Sequence, residues 1–496
     1  MVGRASLIVI LGFSVIFGMA SLYWNRESDS ATNNMVDYYS ASAAHNIAVG
    51  AANYAVSLIF QNTADTSAID GMSGQFPGGG TYDITDQMLA GPYGTRDPYI
   101  TTTGSFTGGD GVPINDTVRV LLSTYKFSSF AMFDSSDEMQ NGAPVYWTTG
   151  DTLTGPFQTN GNMYVQGVPV IKGPVTIGGT TYTNDNGQSA TANPTKLPDP
   201  YGDTLKANSF RSGVVVQMPP TLSSYRGAAS SSATFTQSSY SGSNYAYDVY
   251  LNFNSGGTVS ETDTTRQIAS TSTSWQWVNG QGRQQVTTTT WSIVATHSNP
   301  NLSLSALENS YGQSVIVVQN GDVNVSGVVN GNVTVVALQG SGSSGRSSYG
   351  GSNSGGLINS STNGNVMITG DITYNDNPQT NPASTDMLGL VASNNVMLTT
   401  QPEGNVTIDA AIFAHHGSFM CEGYNSTTGN TSNGNYNTFA GYLDLYGSLS
   451  QDYRGPVGTT GGTGYLKDYK FDPRFEKDSP PAFPGTTRYK VVSWEE

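Results

Sequence analysis

The sequence predicts a mainly β protein in which a long N-terminal α-helix is followed by a parallel β-helix (solenoid) head carrying a β-rich insertion. Three observations carry the prediction. An uncharged, proline-free apolar run near the N-terminus continues into a small-residue stripe at helical spacing. Asn/Gly turns followed by strands of three or four residues recur from residue 155 onwards. Charged residues are only 11% of the chain while Gly numbers 59, against about 25% charged in an ordinary soluble domain.

With 496 residues the chain exceeds one small core. Aromatic residues at 10% and recurrent Val/Ile alternation point to buried β structure rather than disorder. The net charge of −16 and the absence of any Lys/Arg cluster exclude the counterion-displacing face that nucleic acid requires. A single cysteine, Cys421, excludes an intramolecular disulfide and a cysteine zinc cluster.

Residues 1–62 are expected to be one helix. Ala5 to Trp24 contains neither charge nor proline, and at about 1.5 Å per residue it spans roughly 30 Å, the thickness of a bilayer's hydrocarbon core. Tyr23 and Trp24 close the run where aromatic rings favour an interface, and Arg4 flanks its start. Met19-Ala20-Ser21 is a poor cleavage site, so a removable signal peptide fits less well than a retained span. A plain transmembrane anchor is the competing reading. From Asn25 to Gln61 proline is still absent, and Val36, Ala43, Ile47, Ala51, Tyr54 and Leu58 recur at steps of three, four and seven, with Ala44, Ala48 and Ala55 alongside. An anchor does not need this amphipathic extension; a filament subunit whose helices bundle together does. The residues expected to pack in membrane or filament are Ala5, Leu7, Ile8, Leu11, Ser14, Ile16, Gly18 and Trp24, then Val36, Ile47, Tyr54 and Leu58. Ser14 and Gly18, four apart, allow close helix approach.

The stretch Gly3-Arg4-Ala5-Ser6-Leu7-Ile8-Val9-Ile10-Leu11, with Tyr38 through Ala48 and Gly50-Ala51-Ala52, resembles minor type IV pilins and the tip pseudopilin of type II secretion. The resemblance implies a leader cleaved after Gly3, insertion in the inner membrane before assembly, and packing with copies of itself or other pilin-like subunits through the helix. Two departures stand out: Ile8 occupies the position where most major pilins carry Glu, and the leader would be only Met1-Val2-Gly3.

Residues 63–150 read as a neck, small α+β or β, with apolar runs at Thr117–Leu122 and Phe127–Phe133. Residues 151–179 read as first β-helix coils and 301–450 as the main β-helix. Their units include Gly155–Gly167, Gly173–Gly178, Asn320–Val325, Asn330–Val335, Asn363–Ile368, Asn394–Leu398 and Gly404–Ile408. Gly and Asn tolerate the left-handed corner, while Val or Ile fill the column. A β-sandwich with tight Asn-Gly hairpins is the alternative. Residues 340–356 form a Gly/Ser loop, and 180–300 a Ser/Thr/Tyr-rich β insertion with a strand at Tyr245–Phe253. Trp275, Trp277 and Trp291 are expected in its core rather than facing a glycan. Residues 451–496 are a tail expected to pack on the head.

The phrases Gly150-Asp151-Thr152, Gly155 through Asn160, Ser384 through Ala392, Ala410 through Ala414 and Tyr469 through Phe475 resemble an uncharacterised family of diderm bacterial envelope proteins. That resemblance implies a pilin-like N-terminus joined to a right-handed β-helix at the cell surface. Where the family often has His before Thr-Asn, this chain has Gln158, which implies no catalytic role there.

β-helices also scaffold glycan lyases and hydrolases. Between residues 301 and 400 the acids are Glu308, Asp322, Asp371, Asp376 and Asp386, with Arg346 the lone base. No paired carboxylates of the usual kind occur, so a non-enzyme is expected, with no catalytic residue, cofactor or metal. His415-His416 on a strand would face opposite sides, and the four histidines show no ligand spacing. Sequons at Asn324, Asn332, Asn405, Asn425 and Asn430 are expected by chance in an Asn/Thr-rich chain. The resulting expectation is a structural filament subunit displaying a head for adhesion, capping or armouring, with a surface glycan or cell receptor as partner. The alternatives are a singly anchored adhesin and a glycan-active enzyme.

Overall fold

A computed structural model of the chain describes residues 2–61, 69–90, 96–109, 111–140, 142–179, 181–183, 189–190, 206–236, 245–278, 282–340, 363–399, 404–421, 439–458 and 464–496. The chain is mainly β with one long helix. It divides into two compact units, one made of Met1–Gly91, Arg96–Thr124 and Arg488–Glu496, the other of Pro92–Thr95 and Tyr125–Thr487.

In the first unit the helix runs unbroken over Val2–Gln61, as the absence of proline allows. It packs on a five-stranded sheet whose order is Ser73–Gln75, Thr81–Ala90, Arg96–Thr107, Pro113–Lys126 and Gly485–Glu495. The first four strands are antiparallel neighbours. Ile84, Ile100, Val118, Val120 and Leu122 form the sheet's buried face, against Ala48, Ala51, Ala52, Ala55, Val56 and Ile59 of the helix. The last strand is a departure from the expected tail on the head: it supplies the edge of this sheet, some 360 residues along the chain from its neighbour.

In the second unit most ladders are parallel and link into one closed sheet, which Thr258–Val278 and Gly282–Ser303 join antiparallel, while Trp147–Thr148, Met163–Gln166, Thr181–Thr183 and Ser189–Ala190 form a separate four-stranded sheet. One line of pairing runs Thr234–Thr236, Ser314–Gln319, Asn332–Leu338, Met387–Ala392, Val406–Ala414, Phe439–Tyr453, Met132–Ser136, Phe157–Thr159 and Val170–Ile177. A second runs Tyr245–Asn254, Asp322–Val329, Val366–Tyr374, Val396–Leu398 and Phe419–Cys421. Parallel pairing at the Asn/Gly corners overturns the hairpin alternative there, because a two-residue hairpin joins antiparallel strands. The corners take the backbone expected of them: Asn320 has φ 61° and Gly364 φ 91°.

Three features were not expected. The segments 151–179 and 301–450 are not separate stacks, because Met132–Ser136 pairs with Phe439–Tyr453 and Thr152–Thr154 pairs with Gly464–Phe471. The 180–300 segment caps rungs of the ladder as well as projecting from it: Lys206–Ser212 pairs with Val170–Ile177, and Tyr245–Asn254 with Asp322–Val329. Several strands are buried on both faces, including Ser314–Gln319 and Met387–Ala392, as their continuous apolar runs require in parallel sheets. Their second face is covered by irregular segments. Thr334 Oγ1 donates to Pro481 O at 2.6 Å, and Phe413 packs on Phe127 and Phe483 with ring centroids 5.1 and 6.3 Å apart.

The tightest point of the first unit is Gly104, where an added Cβ would lie 2.2 Å from Ala44 O and 2.5 Å from Ala48 N. Gly104→Val is expected to push the helix off the sheet at a cost of about 1–3 kcal/mol. Urea unfolding of the detergent-solubilised full chain checks this, and an unchanged midpoint would contradict the packing described.

Candidate functional site: the exposed half of the N-terminal helix

Helix Val2–Gln61 has two halves of different character. From Ser40 onwards one face is buried: Ser40, Ala44, Ile47, Ala48, Ala51, Ala52, Ala55, Val56 and Ile59. Small residues there let the sheet come close. Thr102 Oγ1 donates to Ala48 O at 2.9 Å, Tyr39 meets Phe106 edge to face at 5.8 Å, and His45 Nδ1 lies 2.7 Å from Asp116 Oδ2. The apolar face from Ser40 to Ile59 is therefore covered within this chain, which removes the inference that it must seek neighbouring subunits. The face is also rotated from the predicted one: Ile47 and Ala51 are buried, Val36 and Leu58 only half-buried, and Tyr54 exposed.

Between Ser6 and Tyr39 every residue except half-buried Val36 is exposed. Leu7, Ile8, Leu11, Ile16 and Trp24 are 63, 73, 61, 64 and 76% exposed, and a window of this helix has a mean hydropathy of 2.1 with none of it buried. Side chains so apolar carry a large free-energy cost in water, about 1.5–3 kcal/mol for each large one. Ser14 does not add polarity to that surface, because its hydroxyl donates to Ile10 O at 2.9 Å within the helix. At Gly18 nothing lies within 4 Å of an added Cβ. The side chains of Gly3, Arg4 and Ala5 lie outside the described residues.

The other singled-out residues fall elsewhere. Gln158 is buried, and its Nε2 donates to Val214 O at 2.9 Å. The acids proposed for an enzyme are used as corner pieces. Asp322 Oδ1 accepts from Asn365 N and Nδ2 at 2.8 and 2.9 Å, Asp371 Oδ1 from Thr407 N at 2.9 Å, Asp376 Oδ2 from Asn381 Nδ2 at 2.7 Å, and Asp386 Oδ1 from Gly331 N at 2.7 Å. Arg346 lies outside the described residues, as do Asn425 and Asn430. His415 and His416 sit in the bend after Val406–Ala414, not on the strand, and their rings are 3.9 Å apart rather than on opposite faces. Trp275 is 61% exposed, against the expected core position. Trp291 is half-buried with Arg266 above its ring, and the Trp277 side chain lies outside the described residues.

Sequence reasoning missed a buried ionic group. Arg454 Nη1 binds Asp137 Oδ1 at 2.5 Å, Gln451 Nε2 donates to Asp134 Oδ1 at 2.7 Å, and Lys467 Nζ reaches Asp151 Oδ2 at 2.8 Å. The Arg454 guanidinium lies 4.0 Å from the Trp147 ring centre. Burial raises the Asp134 carboxyl well above its usual range, with the Asp137 charge adding to it, while Asp137, also raised by burial, is held to about 6 by Arg454. One guanidinium thus faces two carboxyls, and burial raises both of them. No local signal marks this set, since Arg454 and Lys467 are each more than 300 residues from the acid they bind. Among the described residues, Glu261, Asp263 and His297 place one ligand atom each within 4.8 Å of the others.

No family model and no curated protein matches the chain. Among solved structures, the crystal structure of the competence-associated pilin ComZ from Thermus thermophilus is similar over 92% of this chain and 97% of its own, at 11% identity and a TM-score of 0.29. A likeness at that level carries no argument about fold or role.

Asp322 provides a pH test. Burial raises its carboxyl to about 7, although Asn365 donates to it. A folded-state value above the unfolded value of about 3.9 means the fold binds the proton more tightly. The contribution to stability is therefore complete below about pH 4 and lost as pH rises through about 7. His415, which burial lowers to about 4, works the other way in acid. The comparison that isolates Asp322 is with Asp322→Asn: between pH 5 and 8 the wild type should lose at least about 1.4 kcal/mol relative to the variant, the worth of one pKa unit. Parallel pH profiles in thermal unfolding would contradict this.

Proposed function

We propose that the chain is a structural subunit of a type IV pilus-like or pseudopilus-like filament, held in the inner membrane before assembly and displaying its second unit at the cell surface. The observation that carries this reading is the exposed apolar run of the helix, Leu7 to Trp24, on a chain whose helix from Ser40 to Ile59 already packs on its own sheet. A bilayer covers such a segment first, and helices of neighbouring subunits, the same chain or other pilin-like chains, cover it after extraction. Cleavage after Gly3 belongs to the same reading.

The closed parallel sheet is read as right-handed β-helix coils, since most rungs pair with strands of the next circuit rather than with the next strand in the chain. Such a head adheres, caps or armours without catalysis. The use of Asp322, Asp371 and Asp386 in backbone bonds, and of Asp376 in a bond from the Asn381 side chain, supports a non-enzyme, and exposed Trp275 supports contact with a surface glycan or cell receptor.

The same exposed segment suits a singly anchored adhesin, so polymerisation is what must be tested. Leu11→Arg or Ile16→Arg is expected to cost about 2.5–3.5 kcal/mol of insertion and to abolish fibres containing the chain. Immunogold-labelled negative stain of sheared surface material reads this out. Labelled fibres in the wild type that vanish in the variants support the proposal; a wild type without labelled fibres leaves the single anchor, and variants with normal fibres overturn the helix's role. Digestion of polysaccharide by the purified chain would instead establish a glycan-active enzyme.

A further inference from the structure

The strands Thr258–Val278 and Gly282–Ser303 form a long antiparallel hairpin. Asp263 lies opposite His297, and Glu261 opposite Asn299. Residues two apart on a strand share a face, as do directly opposed residues of an antiparallel pair. Glu261, Asp263 and His297 therefore project together. The strand Tyr245–Asn254 closes the other side, setting Val249 opposite Asp263 and Leu251 opposite Glu261, and both of these apolar residues are buried.

Glu261 is the informative member. It is 1% exposed, and neither of its carboxylate oxygens makes a hydrogen bond of good geometry, Asp263 and His297 being the polar groups beside it. A buried carboxylate in that state is costly unless something neutralises it. The nearest cationic side chain on the adjoining strands does not: Arg266 is engaged with Asp248. His297 Nδ1 approaches Asp263 Oδ2 at 3.4 Å and Glu261 Oε2 at 3.7 Å, too far for good hydrogen bonds. Ligands of one tetrahedral ion at about 2.0–2.1 Å are themselves separated by roughly 3.3–3.5 Å. The His297–Asp263 spacing of 3.4 Å falls in that range, His297–Glu261 at 3.7 Å lies just above it, and all three ligand atoms lie within 4.8 Å of one another.

We infer that Glu261, Asp263 and His297 form a binding site for a divalent transition cation of the zinc class. Imidazole with two carboxylates suits zinc or its near neighbours, whereas calcium takes six or more oxygens and no imidazole. The ion ties the hairpin's two strands together next to the register shift between Val259 and Glu261. His297 is 69% exposed on its side chain, so the fourth position opens to solvent and receives water or a ligand from another molecule.

The test is calorimetric titration of the metal-free full chain in detergent with zinc chloride, with cobalt(II) absorption as a second readout. One zinc per chain is expected. Glu261→Gln and His297→Ala should each weaken binding at least tenfold and remove the visible cobalt bands, while His416→Ala leaves both unchanged. Because His297 is largely exposed, its replacement leaves the fold intact by circular dichroism. Zinc should raise the unfolding temperature of the wild type but not of His297→Ala. A wild type that binds no zinc, or zinc binding that survives both substitutions, would overturn the inference.

Discussion

The close approach of the Gly104 backbone to Ala44 and Ala48 is the constraint on which the rest of the structure depends. With no side chain at Gly104 and Ala44, Ile47 and Ala48 facing it, the sheet lies against the helix backbone itself, and Thr102 adds a hydrogen bond to Ala48 O. This contact fixes how much of a 60-residue helix the chain can cover for itself. The covered face begins at Ser40 and ends at Ile59. N-terminal to it the apolar run Leu7 to Trp24 stays bare, so the need for a membrane or a neighbour is concentrated in that segment.

The second unit solves a different problem. With few charges and one cysteine, it is held by backbone ladders and by apolar strands buried on both faces. Its Asp and Asn residues close the corners: Asp322 binds Asn365, whose Oδ1 accepts from Asn395 N, and Asn395 Oδ1 accepts from Ser418 N. Where Met132–Ser136 meets Phe439–Tyr453, the buried Arg454 pairs with Asp137. A buried pair of this kind contributes little net stability, but losing one partner costs several kcal/mol. It therefore penalises any register other than the observed one.

Periodicity made the helix legible, because proline is absent and apolar residues recur at helical steps. The short strands were legible from their Asn/Gly corners, since few other residues accept φ near 60°. The helix face was legible in part: Ala51 in the expected stripe and Ala44, Ala48 and Ala55 beside it are buried, whereas Ser40 and Ala52 carry no apolar signal and Tyr54 looks like core and is not. Partners in the ladder were not legible at all. Local sequence carries no signal that strand 132–136 pairs with 439–453, or that the chain's last strand returns to the first sheet. The exposed Trp275 was misjudged for a related reason: alternation marks a strand but does not say which face of a projecting hairpin is covered.

The claim at the centre of this account is that the bare half of the helix packs against the same half of neighbouring chains. Cysteines introduced at Leu11 and Leu22, in a chain whose own Cys421 is buried, test it by oxidative cross-linking of sheared surface material. The account predicts a ladder of dimers and higher multimers that requires both introduced cysteines. Surface material containing the chain only as uncross-linked monomer, under conditions that cross-link a control pair within one subunit, would contradict it.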